Sequence, residues 1–196
     1  IRTLSGVTTI TILTKPHPCP GECIFCPSEA GLPQSYLSDE PGARRGVENH
    51  FDPYLQVSSR LKALHQVGHP TEKIELLILG GSWSSYPAEY REWFIRRCFE
   101  ALNEENPLDD RGIVPLAEVQ ARNVNGTHRN VGLVVETRPD LISREGLLEL
   151  RRQGVTKIQI GVQSMDDDVL LRNRRGHTAA EAEEAVALVR AAGYKV

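Results

Sequence analysis

The sequence predicts an α/β fold, a partial (β/α) barrel of parallel strands with outer helices. Apolar runs rich in β-branched residues recur at 7–13, 74–79, 131–136 and 157–162, and a fifth begins at Lys195. Helical patterns with readable ends lie between them, and polar residues collect just beyond each run. Near-continuous apolar strands alternating with helices imply a parallel sheet covered by helices, and right-handed crossovers curl such units into part of a barrel. With 196 residues, 40% of them hydrophobic and 25% charged, the chain can bury one core.

In chain order, the first run leads into a proline-rich loop, PHPCPGECIFCP. The first helix is signalled by Asp52-Pro53, a cap with proline at the first helical position, and stops at Gly68 before His69-Pro70. The second run ends in Gly80-Gly81-Ser82-Trp83, where paired glycines let backbone approach a ligand or simply make a tight turn. A helix from near Pro87 to about Asn103 turns Trp93, Phe94, Cys98 and Leu102 inward, and a shorter one follows Pro115. The third run passes into Glu136-Thr137-Arg138-Pro139-Asp140, followed by a helix over 143–153 that ends at Gly154. The fourth gives Gly161-Val162-Gln163-Ser164, and the last helix opens on a capping box, Thr178 with Glu181, and ends at Gly193. In a barrel of this kind the chemistry sits at the C-terminal ends of the strands, where these polar residues would converge.

Cys19, Cys23 and Cys26 are spaced C-x3-C-x2-C, which suits an iron-sulfur cluster. Three thiolates on a four-iron cluster leave one iron open to a small molecule. Structural zinc is the competing reading, with His17 completing a Cys3His set. No signal-peptide pattern precedes the motif, no apolar run approaches the ~18 residues of a membrane span, and only four cysteines occur, which points to a reducing cytoplasm. Cys98 is expected in the core.

A net charge of −3 gives no global attraction to nucleic acid, so RNA contact would need a local patch. Arg44-Arg45, with Tyr36 as a stacking ring nearby, supplies the best one. Arg91, Arg96, Arg97, Arg151 and Arg152 are expected on solvated helix faces. His177 is expected to be a helix-start contact, not a base.

With the cysteines, GGSW, ETRPD and GVQS in this order, the chain resembles radical S-adenosylmethionine (SAM) enzymes. PQSY, GHPTEK and RRGHT place the resemblance with the catalytic subunit of Elongator and its single-chain archaeal and bacterial counterparts, which are tRNA uridine(34) acetyltransferases, or carboxymethyluridine synthases. The resemblance implies a barrel of the radical SAM type in which Cys19, Cys23 and Cys26 hold a [4Fe-4S] cluster and SAM chelates the fourth iron. By the same likeness Phe25 lies near adenine, and Gly80, Gly81 and Ser82 orient the methionine end of SAM. Glu136 and Gln163 address its amino or ribose groups, and Arg175 pairs with its carboxylate. Lys73 matches a lysine associated with acetyl-CoA, although it precedes the second strand, at the end of the barrel away from the cysteines.

The implied reaction begins with an electron passed into SAM, which yields a 5′-deoxyadenosyl radical in a site kept from water. That radical takes hydrogen from acetyl-CoA, and the acetyl unit is added to carbon 5 of the wobble uridine in a tRNA anticodon stem-loop. An electron donor and other Elongator subunits are the further implied partners, with no membrane. Residues 1–196 would be a radical SAM domain incomplete at its C-terminus, without the acetyltransferase-like domain. Two other readings stand beside this one: a radical SAM enzyme acting on a small molecule such as a porphyrin precursor, and a zinc-stabilised binding module with no catalytic role.

Overall fold

Four strands, β1 (Thr8–Leu13), β2 (Lys73–Leu79), β3 (Arg129–Thr137) and β4 (Lys157–Ile160), lie side by side in sequence order, and every neighbouring pair is parallel. The structure is a computed structural model that describes residues 6–105 and 114–196. Parallel neighbours require crossovers, and helices supply them. α1 (Pro41–Glu48) and α2 (Pro53–Gln66) join β1 to β2, while α3 (Ala88–Leu102) and α4 (Leu116–Asn123) precede β3. α5 (Arg144–Arg152) leads to β4, and α6 (Asp167–Arg172) and α7 (Ala179–Ala191) follow it.

Alternation along the strands divides the sheet into two faces. Ile10, Ile12, Ile74, Leu76, Ile78, Leu133, Val135 and Ile158 pack into one core with Val57, Leu61, Phe94, Ile95, Cys98 and Leu102 from α2 and α3. The opposite face carries Leu77, Glu136, Lys157 and Gln159, which are only partly buried. That polar inner face is what an open, partial barrel presents. A smaller cluster of Leu13, Leu32 and Ala43, with Tyr36, Phe51 and Leu79 against it, seats α1 and the loop after β1 over the inner side of the sheet.

The helix starts follow the cap chemistry. Asp52 accepts from the Leu55 amide, Ser143 from Gly146, and Thr178 and Glu181 form the complete capping box. Several expectations are corrected. Residues 41–48 and 167–172 are helical where no helix was anticipated, and β4 stops at Ile160 instead of reaching 162. The fifth run makes only an isolated bridge, Lys195 to Lys157. Arg91, Arg96 and Arg97 are not on solvated faces: Arg91 pairs with Glu149 at 2.8 Å across to α5, and Arg96 and Arg97 converge on the buried Glu100. For Arg91, sequence charge patterning cannot register a partner 58 residues away, whereas the Arg96 and Arg97 pairs with Glu100 are local, at i+4 and i+3. Arg151 and Arg152 are exposed as expected.

Candidate active site

The C-terminal ends of the four strands open into a cavity of about 710 Å³. Cys19, Cys23 and Cys26 from the loop after β1 all line it, opposite Gly81 and Ser82 after β2, Glu136 at the end of β3, Gly161 and Gln163 after β4, and Arg175 before α7. Residues up to 156 apart in the chain are thus gathered by one feature, the common direction of the strands. Gly80 is required by space as well as by conformation. Its φ is +134°, and a Cβ there would stand 1.8 Å from the Thr14 hydroxyl. That fit brings the β2 turn against the start of the cysteine loop.

The thiols are free, partly buried and differently supported. Cys19 accepts from the Gly21 amide at 3.4 Å, and Cys26 accepts from the Ser35 hydroxyl at 3.1 Å. Cys23 accepts from two guanidinium groups, Arg175 at 3.1 Å and Arg138 at 3.3 Å. Arg175, only 5% exposed, also donates to the Gly161 carbonyl and keeps its Nε buried without a hydrogen-bond partner. Gln163 holds a left-handed backbone at φ +74°, rare outside glycine, at the rim of the cavity.

Glu136 is aligned with Gln159 across the β3–β4 pair, and its carboxylate accepts the Tyr36 hydroxyl at 2.7 Å. Burial holds the Glu136 carboxyl above its ordinary range, against the pull of that hydrogen bond. Burial, and then the charge of Glu136, push the Tyr36 hydroxyl up as well. The cavity therefore offers a carboxyl group, guanidinium groups and soft thiol ligands together.

Phe25 lies outside this cavity, in a shallower recess with Gln163 and Val169, and the Arg175 guanidinium sits 5.7 Å from its ring centre. Lys73 is exposed at the first residue of β2, away from the cysteines. His17 does not join a Cys3His set: its ring stacks on Tyr86, and its Nε2 lies 3.0 Å from the Ser85 carbonyl. Cys98 is fully buried, and burial pushes its thiol pKa well up. His177 is buried just before α7, with Nε2 3.2 Å from the Val162 carbonyl. Arg44 is exposed on α1, and Arg45 is partly buried there. Tyr36, expected as a stacking ring on the active-site side, does line the cavity, where its hydroxyl is taken up by Glu136. Arg138 was not anticipated, because its role rests on a sulfur 115 residues away; the hint in the sequence is Gly21 between two of the cysteines, where a Cβ would meet the Arg138 guanidinium at 1.8 Å.

Three thiols line one cavity, each already accepting a hydrogen bond, and their soft sulfur donors suit the chemistry of an iron-sulfur cluster; among the described residues no three Cys, His, Asp or Glu side chains are grouped for a single metal ion. Parallel strands, a cysteine loop after the first and polar residues at the later strand ends define the class. Residues 17–196 match the radical SAM superfamily, and the chain belongs to it. That family uses SAM with an iron-sulfur cluster. Among curated relatives, the chain is 41% identical over its whole length to the tRNA uridine(34) acetyltransferase of Methanocaldococcus infernus and 41% identical to that of Dehalococcoides mccartyi, spanning 37% and 41% of those proteins. It is 33% identical to Elongator complex protein 3 of Drosophila melanogaster, covering 36% of it. The solved structure of the archaeal Methanocaldococcus infernus Elp3 with an N-terminal deletion superimposes on 97% of the chain with a TM-score of 0.77 at 34% identity, and 37% of that structure is covered. The chain thus spans well under half the length of these relatives.

Proposed function

We propose that this chain is the SAM-cleaving portion of an enzyme that uses acetyl-CoA to build carboxymethyluridine at wobble uridine 34 of tRNA. The observation that carries the reading is the meeting of Cys19, Cys23 and Cys26 with Glu136, Gln163 and Arg175 in one cavity, and the names of the relatives supply the substrate. The three thiolates would hold three irons. When bound, the cluster supplies an electron to SAM and so a carbon-centred radical. The chain's own residues bind and orient: Arg175 suits the SAM carboxylate, Glu136 its ammonium, and Gln163 its ribose. Gly80, Gly81 and Ser82 offer backbone to the methionine end, and Phe25 an aromatic ring to adenine. The inner face of the sheet would form the floor beneath the reacting groups. Acetyl-CoA would be engaged with parts of the whole enzyme outside these residues, where alone Lys73, remote from the cavity, would meet it, and the anticodon stem-loop would be shared between those parts and Arg44 and Arg45. An electron donor completes the partner set.

Anaerobic reconstitution with iron and sulfide tests the reading. The expected product is brown and holds about four irons per chain. Cys19→Ala, Cys23→Ala and Cys26→Ala each abolish it, and Cys98→Ala does not. Equal loss from Cys98→Ala would sink the three-cysteine site, and a colourless protein containing zinc would replace the cluster with a structural metal.

A further inference from the structure

We propose that Arg138 is a positioning residue for the cluster: by donating to the Cys23 sulfur it fixes that ligand and raises the cluster's reduction potential. The inference rests on the cluster reading above. Arg138 is 5% exposed, and each of its three nitrogens has a partner. Nε donates to Asp140 Oδ1 at 2.9 Å and Nη2 to Oδ2 at 3.2 Å, a forked grip that sets the plane of the guanidinium. Nη2 also donates to the Arg175 carbonyl, and Nη1 faces Cys23 Sγ at 3.3 Å. Gly21 leaves the lane open through which the guanidinium passes.

The other two thiols receive uncharged donors, an amide on Cys19 and a hydroxyl on Cys26. Arg175 also reaches Cys23, but the proposed function gives that residue the SAM carboxylate. Arg138 is anchored on Asp140 and stays on the sulfur. Adding one electron makes a cluster more negative, so a charged donor on a ligating sulfur favours the reduced form, as hydrogen bonds to cluster sulfurs do in general.

The test is a mediated redox titration of the reconstituted full chain, read by electron paramagnetic resonance, on the wild type, Arg138→Gln, Arg138→Lys and Ser35→Ala. Iron content of the same samples reports separately whether the cluster is there. Arg138→Gln should keep its iron and titrate at a lower potential, with Arg138→Lys between it and the wild type. Ser35→Ala, which removes a neutral donor, should shift less. Full iron with unchanged potentials would overturn the inference. If Arg138→Gln loses its iron, Arg138→Lys decides, and loss from both makes Arg138 a brace for the loop and defeats the potential role. A wild type that takes up no iron defeats the proposed function itself.

Discussion

At the scale of single residues, the cavity holds the Glu136 carboxyl and the Arg175 guanidinium together, and the carboxyl has a pH behaviour of its own. The Glu136 carboxyl is held above its ordinary 4.5 by burial. A carboxyl whose folded value exceeds its unfolded one holds its proton more readily in the fold. Its contribution to stability is therefore fullest below 4.5 and is lost as pH rises through the raised value. In the role proposed for Glu136, binding of the SAM ammonium would run the other way, since it would need the carboxylate. SAM affinity, titrated against the cluster spectrum, should fall on acidification from a pH already above 4.5. Tyr36→Phe should move that onset upward, because the hydrogen bond that favours the carboxylate is gone, and Glu136→Gln should bind weakly with no such onset. At neutral pH, Glu136→Ala, Gln163→Ala and Arg175→Ala should keep the cluster and each lose roughly 1.5 to 3 kcal/mol of SAM binding, the worth of a hydrogen bond to a charged group. Unchanged affinity in all three would show that SAM is held by other residues.

At the scale of elements, β1 is the exposed edge of the sheet on one side, and α2 closes it. Gln56, buried on α2, accepts from the Leu13 amide at 2.8 Å and donates to the Leu13 carbonyl at 2.9 Å. A side-chain amide thus replaces a neighbouring strand at the residue where the chain leaves for the cysteine loop. Gln56→Ala would strand two buried backbone groups and should cost about 2 to 4 kcal/mol, read as a lower urea midpoint with an unchanged slope. A loss below about 0.5 kcal/mol would mean water replaces the amide there. The elements that could be read from sequence are those with local chemistry: apolar runs for strands, and Asp52, Ser143 and Thr178 for helix starts. α1 escaped because PGARRGVE contains two glycines and turns only Ala43 and Gly46 fully inward, so no apolar stripe marks it. α6 has a local mark, since Asp166 accepts from the Val169 amide, but six residues give no periodicity to confirm it. The site divides in the same way. Cysteine spacing is local, whereas the Tyr36 to Glu136 bond spans 100 residues and exists only once the sheet has formed.

At the scale of the whole molecule, a chain of net charge −3 has no global attraction for RNA, and Arg44 and Arg45 are the local patch the sequence singles out. In the complete enzyme, binding of an anticodon stem-loop should weaken when both are changed to Ala, and the dependence on salt should flatten because fewer counterions are released. Cluster and SAM binding should be unaffected, and an unchanged salt slope would place the RNA surface elsewhere. The two sides of the sheet also differ in a way that matters beyond catalysis. Gln56 occupies the outer edge of β1 at its last residue, Leu13, while β4 is met among the described residues by the single bridge from Lys195. A strand edge left open is a template for another strand, and here it borders the wall of the cavity, where Lys157, Gln159 and Val196 stand. A segment that paired with β4 would do two things at once: it would extend the wall of the cavity and remove the surface on which one copy could zip onto the next.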